Sequence, residues 1–279
     1  MADFDQLGLF GLRQGTSSDR TRAKAAQRLS LTIDLVNNRL IRVDDIVKRI
    51  TKSLEDLDPR AKVFAANEDD DQPWFTKEFF AIDVETTGLD AASHRIIELA
   101  IIPFNMSDDI KPFCQLFSVG ENLPQEIVQI TGITDAMLVG QPQFSEWADK
   151  CLQMLTKASF LVAYNAKFDR PFLESELARL GKVLPEMPWI DPFVFVCELD
   201  RYKRGKKLSD AARRWGVNLE NAHRARADAH AAGNLLLKMA DKISAHSMEE
   251  LLAKQKLWQW HNAHNLAELK RSNSWSINR

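Results

Sequence analysis

The residues of this 279-residue chain best suited to chemistry are acids. Asp83 and Glu85 close an apolar run, Phe79-Phe80-Ala81-Ile82-Asp83-Val84-Glu85, and are followed by Thr86-Thr87-Gly88-Leu89. The run reads as a buried strand. Residues two apart on a strand point to one face, so both carboxylates project into the same space. Side by side and buried, each acid raises the pKa of the other, which a purely structural strand would avoid. A chain that needs divalent cations would use such a pair. Two other stretches carry ionisable groups. Tyr164-Asn165-Ala166-Lys167-Phe168-Asp169 runs into Arg170-Pro171, and His223 lies five positions before Asp228. Each also has a structural use. Asp83 or Glu85 alone can end a strand at solvent, Asp169 can cap a helix with Pro171 early in it, and a lone histidine is commonly a surface or capping residue.

The elements that must position these groups follow from pattern. Apolar strand candidates fall at 78–84, 95–104, 113–119 and 158–164. Helices are expected at about 125–130, 144–156, 170–180, 207–215 and 224–242, with Gly181 as the stop after Leu180. A last helix is expected over 248–270, with Ser247 and Glu250 as a capping box. Strands first and then alternation with helices argue for an α/β mixed sheet covered by helices.

Ahead of this block, residues 1–17 form a glycine-bearing tail without helical period, and 18–66 hold two amphipathic helices, the second ended by Asp58-Pro59. The acidic stretch around Asn67-Glu68-Asp69-Asp70-Asp71 makes 67–76 a solvated linker. The expected organisation is therefore tail, helical extension, linker, a domain over 77–242 and a C-terminal helical extension over 243–279. The net charge of −2 excludes a polycation, so any affinity for nucleic acid must come from local patches or bound metal. Cys114, Cys151 and Cys197 have neither zinc spacing nor an even count, and read as reduced thiols. No run approaches membrane-spanning length, and Asp3 and Asp5 stand where a secretory signal would be basic. A soluble cytoplasmic protein is expected.

Taken together and in order, the segments Ala81-Ile82-Asp83-Val84-Glu85-Thr86-Thr87-Gly88-Leu89, Tyr164–Asp169 and His223-Arg224-Ala225-Arg226-Ala227-Asp228-Ala229 resemble the three motifs of the DEDDh family of 3′→5′ exonucleases. That family, with four acids and a histidine, includes the proofreading subunit of the bacterial replicative DNA polymerase. Ile130-Thr131-Gly132-Ile133-Thr134 and Leu208-Ser209-Asp210-Ala211-Ala212-Arg213-Arg214-Trp215-Gly216-Val217 also fit, and the likeness covers about residues 77 to 240. The sister subfamily has a tyrosine four positions before the last acid; here that position is Arg224, which indicates the histidine subfamily.

The resemblance implies a ribonuclease-H-like fold with a mixed five-stranded sheet flanked by helices. It implies two divalent cations, Mg²⁺ or Mn²⁺, roughly 3.5–4 Å apart. Asp83 would bridge both, Glu85 and Asp228 would complete the site for the nucleophile's ion, and Asp169 would support the other. His223 would take a proton from the attacking water. Around the terminal nucleotide it implies backbone groups of Thr86, Thr87 and Gly88, with Leu89 as a wedge. Phe168 would stack there or pack in the core, and Asn165 would hold its loop through side-chain hydrogen bonds. The reaction implied is hydrolysis of DNA from the 3′ end to nucleoside 5′-monophosphates. Trimming of RNA 3′ ends and a mainly non-catalytic adaptor remain as alternatives.

Three other features stand beside this set. Gln6-Leu7-Gly8-Leu9-Phe10 resembles the peptide by which bacterial polymerases and repair enzymes dock into the sliding clamp, with Gln6, Leu7, Leu9 and Phe10 in the contact places. An apolar tail segment folding back on the protein is the alternative. The cations Arg201, Lys203, Arg204, Lys206, Lys207, Arg213 and Arg214 are opposed in sequence by Asp210 alone, and form either a solvated face or a grip on phosphates. Trp258, Trp260 and Trp275 are expected to dock the last helix on its own domain or on a partner.

Overall fold

In the computed structural model the described residues are 72–220 and 222–276, with side chains described as far as 264. The clamp-like peptide at 6–10, the helical extension at 18–66 and the start of the linker lie outside them.

Five strands make one sheet in the order β3-β2-β1-β4-β5: β1 Phe79–Thr86, β2 Ile96–Phe104, β3 Phe113–Leu116, β4 Phe160–Val162 and β5 Trp189–Ile190. β2 runs antiparallel to β1 and β3, whereas β4 and β5 run parallel to β1 and to each other. The helices are α1 Gln125–Thr131, α2 Asp135–Leu138, α3 Phe144–Leu155, α4 Asp169–Ala178, α5 Pro192–Leu199, α6 Leu208–Trp215, α7 Ala225–Ile243 and α8 Met248–Ser276. The mixed, helix-covered sheet expected from the sequence is the one present.

The two faces of the sheet follow the two-residue period of β1. Phe80, Ile82 and Val84 join a core with Phe144, Ala148 and Leu155 of α3 and Phe172, Leu173 and Leu177 of α4. Phe79 and Ala81 face the other way, into a core with Ala225, Ala229, Leu235, Leu236 and Met239 of α7 and with Leu251 and Leu252 of α8. Asp83 and Glu85 continue this second row, so alternation alone delivers them to the α7 side. Small residues let α7 lie close: a Cβ on Gly233 would sit 2.3 Å from the Phe104 ring. That ring is itself stacked on Phe79 at 4.7 Å.

Most boundaries match the pattern within a few residues. α4 ends as expected around Gly181, whose φ is +68°; Gly181 N–H donates to Ala178 O at 3.0 Å and Lys182 N–H to Leu177 O at 2.9 Å. These are the two bonds of a Schellman stop. The capping box of α8 forms through Glu250 N–H to Ser247 Oγ at 3.1 Å, with Glu250 Oε2 accepting from Ser247 N–H at 3.4 Å. Trp74, in the segment expected as solvated linker, is fully buried and donates its indole N–H to Ala245 O at 2.9 Å.

Three elements lie outside the strand and helix expectations, the first being the single turn of α2 at Asp135–Leu138. β5 has only two residues and follows Pro188, too short for a period to register. α5 is apolar nearly all round, without an amphipathic stripe, yet its start carries a readable signal. Asp191 accepts from Phe193 N–H at 2.9 Å as its cap, with Pro192 in the first turn. Gln255 of α8 closes this edge of the sheet, donating to Trp189 O at 2.8 Å and accepting from Asp191 N–H at 2.6 Å.

Candidate active site

Carboxylate oxygens of Asp83, Glu85 and Asp228 lie within 4.8 Å of one another. β1 supplies the first two from one face, and the first turn of α7 supplies the third. Asp169 is outside this trio but fastened to it. β4 pairs with β1 only at Phe79, Phe80 and Ala81, so that flank of β1 is open beyond Ala81. There Asp169 Oδ1 accepts from Val84 N–H at 3.1 Å, between the two strand acids. The alternative use of Asp169 as an N-cap is not the one taken: α4 begins at Asp169 itself with Phe168 in the cap position, and Oδ1 is bonded to the strand.

His223 is exposed, with φ +67°, and its backbone N–H donates to Asp228 Oδ2 at 3.1 Å. The two residues are thereby held as one unit at the mouth of α7. Asp228 Oδ1 is buried and has no hydrogen-bond partner among the described residues.

Burial is the chief force on these acids. It pushes Asp83 well above the ordinary carboxylate range, reinforced by Asp169, Asp228 and Glu85. Glu85 is pushed up to about 8 by burial, then by Asp228 and Glu98. Asp169 also rises to about 8 through burial, against the pull of the Val84 N–H. Asp228 is raised by burial as well. Four acids that resist ionisation, together with an orphaned buried oxygen, describe a site that lacks positive charge. The trio offers oxygen donors alone, without thiolate or imidazole, which suits a hard divalent cation.

Three supporting residues escaped the sequence reading. Glu98, only 1% exposed, lies directly across from Glu85 on β2. It accepts from Arg224 Nη2 at 2.8 Å, Arg224 Nε at 3.2 Å and Ala225 N–H at 3.0 Å. Because Arg224 in the cap position of α7 makes no side-chain cap bond, this strand glutamate caps the helix instead. The available signal was a glutamate within the apolar run Ile96-Ile97-Glu98-Leu99. Asp191 is the second. It accepts from Asn165 N–H at 2.8 Å and Ala166 N–H at 3.2 Å, which shapes the turn into Asp169. Its carboxyl is pushed up to about 6 by burial, against those backbone donors. The expectation that the Asn165 side chain holds this turn is therefore corrected: Asn165 sits at φ +66° with its side chain unbonded among the described residues. Glu176 is the third, taking Arg95 in a two-pronged bond at 2.7 and 3.0 Å and Ile96 N–H at 3.1 Å. It ties α4 to the start of β2.

The loop after β1 is closely braced. Thr86 Oγ1 donates to Gly88 O at 2.6 Å, Thr87 N–H donates to Arg95 O at 2.9 Å, and Thr87 Oγ1 accepts from Arg95 N–H at 3.0 Å. The Thr87 N–H is thus already engaged within the fold. Gly88 lies under the His94 ring, where a Cβ would come within 2.3 Å. Leu89 stands out at 84% exposed. Phe168 is half-buried against Phe172 with centroids 5.0 Å apart, so its core contact is real.

The family model described as Exonuclease (RNase_T) matches residues 80–236. A DNA polymerase III PolC-type protein of Halalkalibacterium halodurans is 35% identical over 171 residues, covering 60% of this chain and 12% of that protein. The chain therefore matches only a small part of the PolC-type relatives. DNA polymerase III subunit epsilon of Treponema pallidum is 33% identical over 165 residues, covering 58% of this chain and 75% of that protein. Among solved structures, E. coli exonuclease I in complex with a dT13 oligonucleotide aligns with a TM-score of 0.51 at 18% identity, over 58% of this chain and 41% of that one. That likeness concerns the fold, which is ribonuclease-H-like. The match over more than half of its length, on the sheet and helices that carry the acid cluster, makes this chain a member of the exonuclease family.

Proposed function

We propose that this chain is a metal-dependent 3′→5′ exonuclease that hydrolyses DNA from its 3′ end and releases nucleoside 5′-monophosphates. The observation that carries the reading is the convergence of Asp83, Glu85 and Asp228 within 4.8 Å, with Asp169 bonded to the backbone between the first two. Asp83, Glu85, Asp169 and Asp228 would hold two divalent cations, Mg²⁺ or Mn²⁺. Such ions, when bound, supply charge neutralisation at the phosphate and lower the pKa of water.

The chain's own residues do the rest. His223 accepts the proton of the attacking water on its ring, from the rim position that its bond to Asp228 fixes. Leu89 rests against the terminal base, and Gly88 allows the backbone to come close to the sugar. Asp191 and Glu98 hold the Asp169 turn and the α7 start in place. A role in replication or repair in the cytoplasm is supported by the likeness to DNA polymerase III subunit epsilon. Residues 6–10 would dock the chain on a sliding clamp.

Timed digestion of 3′- and 5′-labelled DNA and RNA with Mg²⁺, Mn²⁺ or EDTA tests the reading. Stepwise mononucleotide release from the 3′ end of DNA, abolished by EDTA and by Asp83→Ala in a folded protein, is the expected result. Undiminished hydrolysis by Asp83→Ala refutes the mechanism, and preferential loss of RNA refutes the substrate. Capture by the clamp that is lost on changing Leu9 and Phe10 to Ala would establish the tail's role.

A further inference from the structure

The acid cluster leaves the cations between Arg201 and Arg214 without a task. The fold neutralises more of them than Asp210 alone could. Arg201 pairs with Glu198, Arg214 with Asp200 at 2.8 Å and Arg213 with Asp210 at 3.0 Å, while Lys203 lies 3.9 Å from Asp200. The Lys206 ammonium donates to the Asp200 carbonyl. Arg204 and Lys207 are exposed and have no acidic partner among the described residues.

The segment that carries these two is built rather than loose. Lys203 N–H donates to Asp200 O at 2.7 Å, and Arg214 Nη1 donates to Arg204 O at 3.2 Å. Gly205 takes φ +74° against the Asp210 carboxyl, where a Cβ would come within 2.3 Å. The Tyr164 hydroxyl donates to the Lys206 carbonyl. Tyr164 immediately precedes the turn that Asp191 shapes into Asp169, so one hydrogen bond joins the basic loop to the candidate active site. From this braced frame Tyr202 projects at 94% exposed. Its ring face is therefore open to contact from solvent. Beside two unneutralised cations, it has the make-up of a single-strand surface, in which rings stack bases and cations track phosphates.

We propose that residues 202–207 bind the single-stranded segment upstream of the terminal nucleotide, with Tyr202 stacking on a base and Arg204 and Lys207 holding phosphates. The direction of the strand rests on the exonuclease reading above. The loop is fastened and its ring is already displayed, so little ordering is needed on binding.

Fluorescence polarisation in EDTA measures binding without turnover. Labelled oligothymidylates of about four and about twelve nucleotides bracket the reach of such a surface. The longer oligomer should bind the wild type more tightly, and Tyr202→Ala should remove that gain by on the order of tenfold. Tyr202→Phe should keep most of it. The Arg204→Ala, Lys207→Ala double variant should flatten the dependence of log K on log[salt] by about 1.4, since each single-strand phosphate contact contributes about 0.7. Wild-type length dependence and salt slope in these folded variants would overturn the proposal and leave the exonuclease reading intact. Loop-dependent binding by a protein that hydrolyses nothing with Mg²⁺ or Mn²⁺ would uphold the surface and sink the exonuclease reading instead.

Discussion

Replacing Glu85 with Gln isolates the electrostatic cost of the acid cluster. The carboxyl is pushed from its ordinary 4.5 to about 8, chiefly by burial and then by Asp228 and Glu98. The folded protein therefore keeps this proton across a window in which the unfolded chain has lost it. As pH rises from 5 to 8, unfolding releases a proton, and stability must fall. At about 1.4 kcal/mol per pKa unit, the full displacement is roughly 5 kcal/mol. Glu85 retains contact with solvent and shares its strain with three other acids, which reduces the effect of a single substitution to about 1–2 kcal/mol. Gln mimics the protonated side chain and cannot titrate. In EDTA the variant should match the wild type near pH 5 and exceed it near pH 8, by about 3–6 °C in Tm for a domain of this size. Added Mg²⁺ or Mn²⁺ should raise the wild-type Tm at the higher pH and the variant's far less, because binding stabilises only the state that binds. Thermal melts by circular dichroism across pH, with and without divalent salt, read both effects. Parallel decline of the two proteins between pH 5 and 8 in EDTA, or equal protection by divalent ions, would refute the reasoning.

Arg224→Ala should leave Glu98 buried with Ala225 N–H as its remaining strong donor, costing about 2–3 kcal/mol in urea denaturation; this is below the range for a fully buried pair because the Arg224 side chain is 40% exposed. Unchanged stability would show that the Arg224–Glu98 pair contributes nothing net to the fold. Asp191→Ala removes the acceptor for three backbone N–H groups, of Asn165, Ala166 and Phe193, and should cost about 3–5 kcal/mol with faster amide exchange at Asn165 and Ala166. Native-like exchange there would mean that the turn holds itself. Gly233→Ala drives a Cβ into the Phe104 ring and should cost about 1–3 kcal/mol, part of which Phe104→Leu returns in a double-mutant cycle. Additive costs would place the strain elsewhere.

Much of the site was legible because its signals are local. The alternation of β1 assigns Asp83 and Glu85 to one face whatever they meet there, and Phe79 and Ala81 confirm the row by packing on α7. Gly181 and the Ser247–Glu250 pair announce helix ends through bonds that span a few residues. Where the signal was weak, the reading failed for a physical reason. β5 is held by its neighbour β4 and by Gln255 rather than by a period of its own, and α5 is buried on too many sides to show a stripe. The Asp191-Pro192 start of α5 is nonetheless a local signal of a helix beginning there.

Glu98 and Asp191 mark the limit of what the chain could disclose unaided. One meets its partners 126 and 127 residues away, the other at 25 and 26, and neither spacing leaves a trace in a local pattern. Residue types and the facing of β1 were settled by covalent order and the geometry of an extended backbone. Convergence of Asp228 on Asp83 and Glu85, the fastening of Asp169 to Val84 and the raised pKa of all four were decided only when α4 and α7 packed against the sheet. Charge and hydration depend on what surrounds a group, and folding alone supplies the surroundings.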